Sequence, residues 1–158
     1  MATSEKNLSQ YSDQNITDIS SKTFAIVVSE WNDDVTEALY EGAYRTLIEQ
    51  GASKEKIIRK NVPGSYELSL GAQFMAREKK VDAVICLGCV IQGETRHFEF
   101  ICQSVAQGIK DVSLKYDKPV IFGVLTTDTK QQALDRAGGR HGNKGNEAAI
   151  TAIKMLGF

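Results

Sequence analysis

The sequence predicts an α/β protein, a three-layer αβα sandwich in which helices cover both faces of a four-stranded parallel sheet. Four short apolar runs have the length of buried strands, and a segment with helical periodicity follows each of them. Strands that alternate with helices form parallel sheets, because each connecting helix packs back on the sheet. The 158 residues contain no repeat or low-complexity linker, so we expect a single domain over residues 23–158.

The first 22 residues predict a flexible arm in front of this domain. Residues 1–22 are rich in Ser, Asn, Gln and Asp, a composition that buries little apolar surface. Tyr11, Ile16 and Ile19 are scattered apolar exceptions, so the arm could pack on a neighbouring chain.

The first strand is the apolar run 24–28, which is continuous, as expected for a strand buried on both faces. Asn32 or Asp33 is expected to cap the helix that follows, because both side chains accept hydrogen bonds from the free N–H groups of a helix start. An apolar stripe runs along this helix, and Gly51 is expected to end it.

The second and third strands are expected at residues 56–62 and 82–91. Pro63-Gly64 closes the second strand, and Ser65 is expected to cap the helix after it. A long helix is expected after the third strand, because apolar residues recur there at helical spacing. These residues are Phe98, Ile101, Cys102, Val105, Ile109 and Val112.

The fourth strand is expected at residues 119–126. Thr129 and Gln132 have the spacing of a capping box, which predicts a short helix after this strand. Gly138-Gly139 is expected to break that helix, and Asn143 is expected to cap the last helix of the chain.

Composition argues against several classes of function. The formal net charge is −1, and no cluster of Lys and Arg predicts binding to nucleic acid. No apolar run is long enough to cross a membrane, and the polar start lacks the apolar segment of a secretory signal. We therefore expect a cytoplasmic protein without nucleic-acid or membrane partners.

The three cysteines are expected to be small buried residues rather than ligands. Cys86 and Cys89 have the C-x-x-C spacing of metal and redox sites. However, no second pair of Cys or His completes a tetrahedral site, and residues three apart on a strand point to opposite faces. We expect no metal site.

Polar or aromatic residues follow all four predicted strands, where open α/β sheets bind their ligands. After the third strand a glycine turn leads into a helix with His97 in its first turn. A helix N-terminus suits an anion such as phosphate, and a histidine there can transfer protons near neutral pH. The other ends carry Trp31-Asn32, Pro63-Gly64-Ser65-Tyr66-Glu67 and Thr126-Thr127, with Phe122 earlier in the fourth strand.

Together, these segments resemble the lumazine synthase family, and the resemblance covers residues 24–156. The joint order and spacing of the motifs make it specific. The motifs are Trp31-Asn32, Pro63-Gly64-Ser65-Tyr66-Glu67, Gly88-Cys89-Val90-Ile91-Gln92-Gly93-Glu94-Thr95-Arg96-His97-Phe98, Phe122-Gly123-Val124-Leu125-Thr126, and Arg136-Ala137-Gly138-Gly139-Arg140-His141-Gly142-Asn143-Lys144-Gly145.

The resemblance implies a flavodoxin-like topology and a transferase of riboflavin biosynthesis. Members of the family condense 5-amino-6-(D-ribitylamino)uracil with 3,4-dihydroxy-2-butanone 4-phosphate. The products are 6,7-dimethyl-8-ribityllumazine, phosphate and water. The family uses no metal and no organic cofactor, so we expect neither.

The resemblance also implies which residues bind the pyrimidine substrate. Trp31 would stack on the pyrimidine ring, and Phe122 of an adjacent subunit would complete an aromatic sandwich. Ser65 and Glu67 would bind the ribityl chain, and Lys144 would lie near the pyrimidine carbonyl. The remaining residues assigned to this pocket are Asn32, Tyr66, Val90 and Ile91.

The phosphate is expected to bind where the long helix begins. The resemblance implies a cradle of Gly93, Glu94 and Thr95, mainly through backbone N–H groups, with the Glu94 carboxylate pointing away. Arg136 would pair with the phosphate oxygens. His97 would carry protons, because imine formation, phosphate loss and ring closure each require proton transfer. 

The family assembles as homopentamers, which in some members join into an icosahedral shell. The short connection over residues 138–145 resembles that of shell-forming members. The N-terminal arm is a candidate to add a strand to a neighbouring subunit's sheet, where it would cover an exposed edge. The implied partners are two small-molecule substrates, further copies of the chain and riboflavin synthase.

Three other classes of protein share features with this sequence. A phosphoacceptor receiver would need an aspartate at the end of the third strand, where this chain has Gly88-Cys89-Val90. A flavodoxin-like electron carrier would bind phosphate after the first strand, where Asp33 and Asp34 would repel it. A non-catalytic flavin- or lumazine-binding paralogue shares the fold, and it stays open as the alternative.

Overall fold

A computed structural model describes residues 17–158, and it confirms the predicted sandwich. Four parallel strands form the central sheet in the order β2-β1-β3-β4, which is the flavodoxin-like order of the first four strands. The strands are β1 (Phe24–Ser29), β2 (Ile57–Val62), β3 (Ala83–Ile91) and β4 (Val120–Thr127).

The register of the sheet brings the carboxyl ends of three strands together. β1 lies between β2 and β3, with Phe24 opposite both Ile57 and Ala83. β3 continues past the end of β1 and pairs with β4 as far as Ile91 and Thr127. The loops that follow β1, β2 and β3 therefore start next to one another at one edge of the sheet.

Helices cover both faces of the sheet and create two apolar cores. One core lies between the sheet and α1 (Asp33–Glu49), α4 (Lys130–Leu134) and α5 (Lys144–Leu156). The other lies between the sheet and the pair α2 (Leu68–Ala76) and α3 (His97–Tyr116). Side chains of β1 alternate between the two cores, as its continuous apolar run predicts.

Two of the expected helix caps are confirmed. The Thr129 hydroxyl accepts a hydrogen bond from the backbone N–H of Gln132 at 3.2 Å. The Asn143 side chain accepts one from the N–H of Gly145 at 2.8 Å, and its amide donates to the Ala38 carbonyl of α1 at 2.8 Å. Asn143 thus both caps α5 and joins it to α1.

At the start of α1 the Asp33 carboxylate accepts a hydrogen bond from the N–H of Asp34 at 2.9 Å, whereas the caps expected at Asn32 and Ser65 are wrong. Asn32 occupies the N-cap position of α1, but its side chain makes no capping bond, because its amide donates to the Cys89 carbonyl instead. Ser65 does not cap either. It begins a short 3₁₀ turn, in which the Glu67 carboxylate accepts a hydrogen bond from the N–H of Gly64 at 3.0 Å.

The short helix α4 ends before Gly138-Gly139, as expected, but the segment that follows it is a regular hairpin rather than a loop. The chain forms a small antiparallel hairpin from β5 (Ala137–Gly139) and β6 (Gly142–Asn143). Gly138 and Gly142 have φ values of +117° and +73°, a region that residues with side chains rarely adopt.

The start of the described chain packs on the domain. Ile19 is fully buried in the core, so packing begins inside the segment predicted as a flexible arm, and residues 1–16 lie outside the described residues. Cys86 and Cys89 are buried and unpaired, and they face opposite cores. Within residues 17–158, no helix combines the length and apolar character needed to cross a bilayer.

Candidate active site

A cavity of about 720 Å³ opens where the carboxyl ends of β1, β2 and β3 meet. We call it the first cavity. It is lined by residues from the loops after β1 and β2, from the end of β3 and from the first turns of α3. These residues are Trp31, Asn32, Gly64, Ser65, Tyr66, Glu67, Cys89, Val90, Ile91, His97 and Ile101.

Two aromatic side chains of the first cavity are largely exposed. Trp31 follows β1 and is 72% exposed, and Tyr66 follows β2 and is 57% exposed. Large aromatic rings normally bury most of their surface, so exposed rings in a concave site leave apolar faces free for a flat ligand. The cavity therefore has the surfaces needed to hold a heterocycle.

The Ser65 hydroxyl is a buried polar group without a protein partner. Ser65 is only 6% exposed, and its oxygen makes no hydrogen bond within the described structure. A Cβ atom added at Gly88 would lie 2.7 Å from this oxygen, so the glycine of β3 gives Ser65 its place in the wall. A buried hydroxyl of this kind is suited to bind a hydroxyl group of a ligand.

His97 is the first residue of α3 and lines the first cavity together with Ile101, one helical turn later. The imidazole is exposed, and the backbone N–H of His97 donates to the Thr95 hydroxyl at 3.4 Å. Its place at a helix start, beside an apolar wall, lets it exchange protons with a bound ligand and with water.

Cys89 also lines the first cavity, but it is not a nucleophile. Burial, together with the nearby Asp34 carboxylate and against the opposing charge of Lys130, raises the pKa of its thiol to about 11. At neutral pH the thiol is therefore protonated, and it contributes an apolar wall.

A second cavity of about 600 Å³ lies along the outer edge of β4. It is formed by β4 itself, the end of α4 and one face of α5. The lining residues are Val120, Ile121, Phe122, Gly123, Val124, Leu125, Thr126, Thr127, Arg136, Lys144, Glu147, Ala148 and Thr151.

The second cavity holds two cationic side chains that are fixed by their neighbours. The Arg136 guanidinium donates to the Gln132 carbonyl at 2.9 Å, which leaves further N–H groups for a ligand. Lys144 forms an ion pair with Glu147, one helical turn further along α5. Both partners of this pair are mostly buried, so it holds the Lys144 ammonium in a defined position.

Comparison with known proteins decides the family. The family model described as 6,7-dimethyl-8-ribityllumazine synthase matches residues 21–158. The chain belongs to the lumazine synthase family.

Similar proteins of this family cover the whole chain. A 6,7-dimethyl-8-ribityllumazine synthase of Cytophaga hutchinsonii is 66% identical over 99% of this chain and 98% of its own length. Proteins with the same name from Parabacteroides distasonis and Porphyromonas gingivalis are 55% and 50% identical. Both matches span 100% of this chain, and 99% and 98% of those proteins.

The structure divides the residues that the lumazine synthase resemblance assigned to one site. The first cavity brings together eight of them: Trp31, Asn32, Ser65, Tyr66, Glu67, Val90, Ile91 and His97. Phe122, Arg136 and Lys144 line the second cavity instead. Gly93, Glu94 and Thr95 are exposed between Ile91 and His97 and line neither cavity.

Some residues that line the two cavities were not predicted from the sequence. Ile101 lies four residues after His97, and Glu147 lies three residues after Lys144, so helical spacing alone could have placed each on the face of its predicted functional neighbour. Thr151 lies four residues after Glu147, and its hydroxyl donates to the Glu147 carbonyl at 2.7 Å.

Proposed function

We propose that this protein condenses 5-amino-6-(D-ribitylamino)uracil with 3,4-dihydroxy-2-butanone 4-phosphate. The products are 6,7-dimethyl-8-ribityllumazine, phosphate and water, and the step is the penultimate one of riboflavin biosynthesis. The observation that carries the proposal is the family match over residues 21–158, together with full-length relatives that bear the enzyme's name. The protein is thus a transferase.

We assign the pyrimidine substrate to the first cavity. Trp31 and Tyr66 offer apolar ring faces to the heterocycle, and Ser65 and Glu67 offer oxygen atoms to the ribityl hydroxyls. One carboxylate oxygen of Glu67 already accepts the Gly64 N–H, so the carboxylate is held in place while its second oxygen can accept from the substrate. The Ser65 hydroxyl would gain the partner that it lacks in the protein.

His97 is assigned the proton transfers. The amine of one substrate attacks the ketone of the other, and the resulting imine forms with loss of water. Phosphate then leaves, and the ring closes with loss of a second water molecule. Each step moves a proton to or from nitrogen or oxygen, and an exposed imidazole in the wall of the substrate cavity can do this.

The second substrate carries a phosphate, and the groups assigned to it are separated within one chain. Residues 93–95 lie beside the first cavity, whereas Arg136 lines the second, together with Lys144, which is assigned to the pyrimidine carbonyl. We propose that a neighbouring subunit supplies Phe122, Arg136 and Lys144 to the first cavity. The family assignment implies an oligomer, and a closed ring in which each subunit contacts the next in the same way would complete every site.

The finer assembly and the cellular context are further proposals. A homopentamer is the assembly that we expect, either on its own or joined into an icosahedral shell, and sedimentation analysis distinguishes the two by size. The three unpaired thiols fit a reducing compartment such as the cytoplasm, and cell fractionation tests this location. Association with riboflavin synthase is tested by co-purification of the two proteins.

The proposed reaction is tested by mixing both substrates with the purified protein and following lumazine absorbance. We expect steady product formation, and we expect His97→Ala to slow turnover by about 10²–10⁴-fold without abolishing it, since substrate positioning persists. His141→Ala is the matched control, because His141 lies in the hairpin connection and outside both cavities.

The alternative, a non-catalytic paralogue that binds flavin or lumazine, predicts a different outcome. Such a protein would bind 6,7-dimethyl-8-ribityllumazine in equilibrium dialysis but would form none from the two substrates. That result would reject the proposed reaction, and a His97→Ala variant with undiminished kcat would remove His97 from the mechanism.

A further inference from the structure

We propose that Asn32 is a positioning residue. Its side-chain amide hydrogen-bonds the loop after β1 to Cys89 of β3 and so holds Trp31 in the wall of the first cavity; we call this hydrogen bond the latch. This role differs from the direct substrate contact expected from the sequence. The inference rests on the proposed function, since it concerns the cavity assigned to the pyrimidine substrate.

The backbone of Asn32 is held in an unfavourable conformation. Its φ and ψ of 59° and 50° place it in the left-handed region, which residues with a side chain rarely adopt. Among residues 17–158, Asp117 is the one other non-glycine residue with a positive φ. Asparagine tolerates this region better than most residues, so its presence at position 32 fits the left-handed backbone.

The Asn32 side chain does not perform the task that its position predicts. An asparagine at an N-cap normally accepts a hydrogen bond from an N–H of the first helical turn. Here the amide nitrogen Nδ2 donates to the Cys89 carbonyl of β3 at 3.0 Å, across 57 residues of sequence. The Asn32 carbonyl accepts from the N–H groups of Val35 and Thr36 at 2.9 and 3.0 Å, as N-cap carbonyls do, and the free N–H of Asp34 donates to the Asp33 carboxylate at 2.9 Å.

The latch lies where the sheet itself no longer connects the two strands. The pairing of β1 with β3 ends at Val28 and Leu87, whereas β3 continues to Ile91. Cys89 lies in this extension, which pairs with β4 but not with β1, and both Cys89 and Val90 line the first cavity. The Asn32 amide therefore hydrogen-bonds the loop after β1 to the part of β3 that forms the cavity.

Trp31 depends on this connection because its own packing is weak. The side chain is 72% exposed, so few contacts within the chain fix the indole. Its backbone carbonyl accepts only a long hydrogen bond from the Ser29 hydroxyl, at 3.4 Å. The next residue, Asn32, is fixed both by its amide and by its carbonyl, and it is the anchor of the loop.

The latch can be measured directly, because Trp31 is the only tryptophan of the chain. Intrinsic fluorescence of the full-length, substrate-free protein reports the environment and mobility of this residue alone. Asn32→Gly keeps the left-handed backbone and removes the amide, and Asn32→Asp keeps the size but presents an acceptor to the Cys89 carbonyl.

We expect both variants to lower the fluorescence anisotropy of Trp31, whereas acrylamide quenching changes little because the indole is already 72% exposed. In kinetic assays we expect KM for the pyrimidine substrate to rise about tenfold, as for the loss of one hydrogen bond, while KM for the butanone phosphate is unchanged and kcat falls less. Asp117→Gly is the matched control, because it relieves the same backbone conformation at the end of α3 and outside both cavities.

Two outcomes would overturn the proposal. If KM rises but the fluorescence of the free variants equals that of the parent protein, Asn32 contacts the substrate directly. If neither quantity changes, the hydrogen bond to Cys89 has no role in the site. Absence of lumazine formation by the parent protein would refute the proposed function instead, and the fluorescence of the free protein would still decide for or against the latch.

Discussion

Ser65 illustrates at the scale of one residue how a site can be prepared at the expense of stability. Its hydroxyl is buried in the wall of the first cavity and has no hydrogen-bond partner within residues 17–158. A buried hydroxyl without a partner costs stability, on the order of 1–3 kcal/mol. The cost is recovered when a ligand hydroxyl takes the place of the missing partner.

We therefore predict that Ser65→Ala leaves stability unchanged or increases it, while KM for the ribityl substrate rises about 3–10-fold. The opposite pattern is expected for Ser113→Ala, since the Ser113 hydroxyl donates to the Lys118 carbonyl at 2.7 Å and lies outside both cavities. That control should lose about 1 kcal/mol and keep its KM. Thermal unfolding and steady-state kinetics of both variants measure these effects, and a Ser65→Ala protein with lowered stability and normal KM would reject the assignment.

At the same scale, the resemblance predicted more of the site than local sequence rules could. Trp31, Ser65 and His97 were assigned to one pocket from their motifs, and they do line one cavity. Local rules failed at Asn32 and Ser65, which are good N-cap residues by type. Each failed for the same reason, since tertiary structure places Asn32 against the Cys89 carbonyl and Ser65 against Gly88.

At the scale of elements, the central strands and the helical layers follow from apolar patterning, because β1 and most of β3 bury one side chain after another on both faces. The β5–β6 hairpin could not be predicted in this way, because its two strands have three and two residues. Such short strands carry no periodic signal, and only the glycines mark the turn. The hairpin nevertheless brings Arg136 and Lys144 together, because the Lys144 N–H donates to the Arg136 carbonyl at 2.8 Å.

The crossing of α1 and α5 gives a test at this scale. Gly145 is buried in the first turn of α5, and a Cβ atom there would lie 1.9 Å from the Leu39 carbonyl oxygen. Because this neighbour is backbone, the helices themselves must separate. We predict that Gly145→Ala destabilises the protein by about 1–3 kcal/mol, as overpacking of a core does.

Gly93→Ala is the matched control for the helix crossing. A Cβ atom added at Gly93 meets no other atom within 4 Å, and the residue has no positive φ. Its thermal midpoint should equal that of the parent protein at the same protein concentration. If Gly145→Ala were as stable as Gly93→Ala, the close approach of α5 to α1 would be wrong.

At the scale of the whole molecule, the two cavities raise the question of how one active site forms. The family resemblance implied a pocket that Phe122 of an adjacent subunit completes, and one chain divides the assigned residues between the carboxyl edge of the sheet and the outer edge of β4. Motif order along a chain cannot show which copy contributes each motif. Our account is that the first cavity of one subunit and the second cavity of its neighbour act together.

Co-assembly of two defective variants tests this central claim most directly. His97→Ala damages the first cavity and Arg136→Ala damages the second, so oligomers made by co-expression of both variants contain some sites with two intact halves. Random assembly predicts such sites in about one quarter of cases. The pair His97→Ala and Trp31→Ala is the control, because both changes lie in the first cavity and no mixed site is intact.

The decisive measurement is the rate of lumazine formation per site in these mixed oligomers, compared with each variant alone. We predict recovery to about one quarter of the parent rate for the His97→Ala and Arg136→Ala mixture, and none for the control mixture. A mixture that is no faster than the mean of its two components would contradict a site shared between subunits.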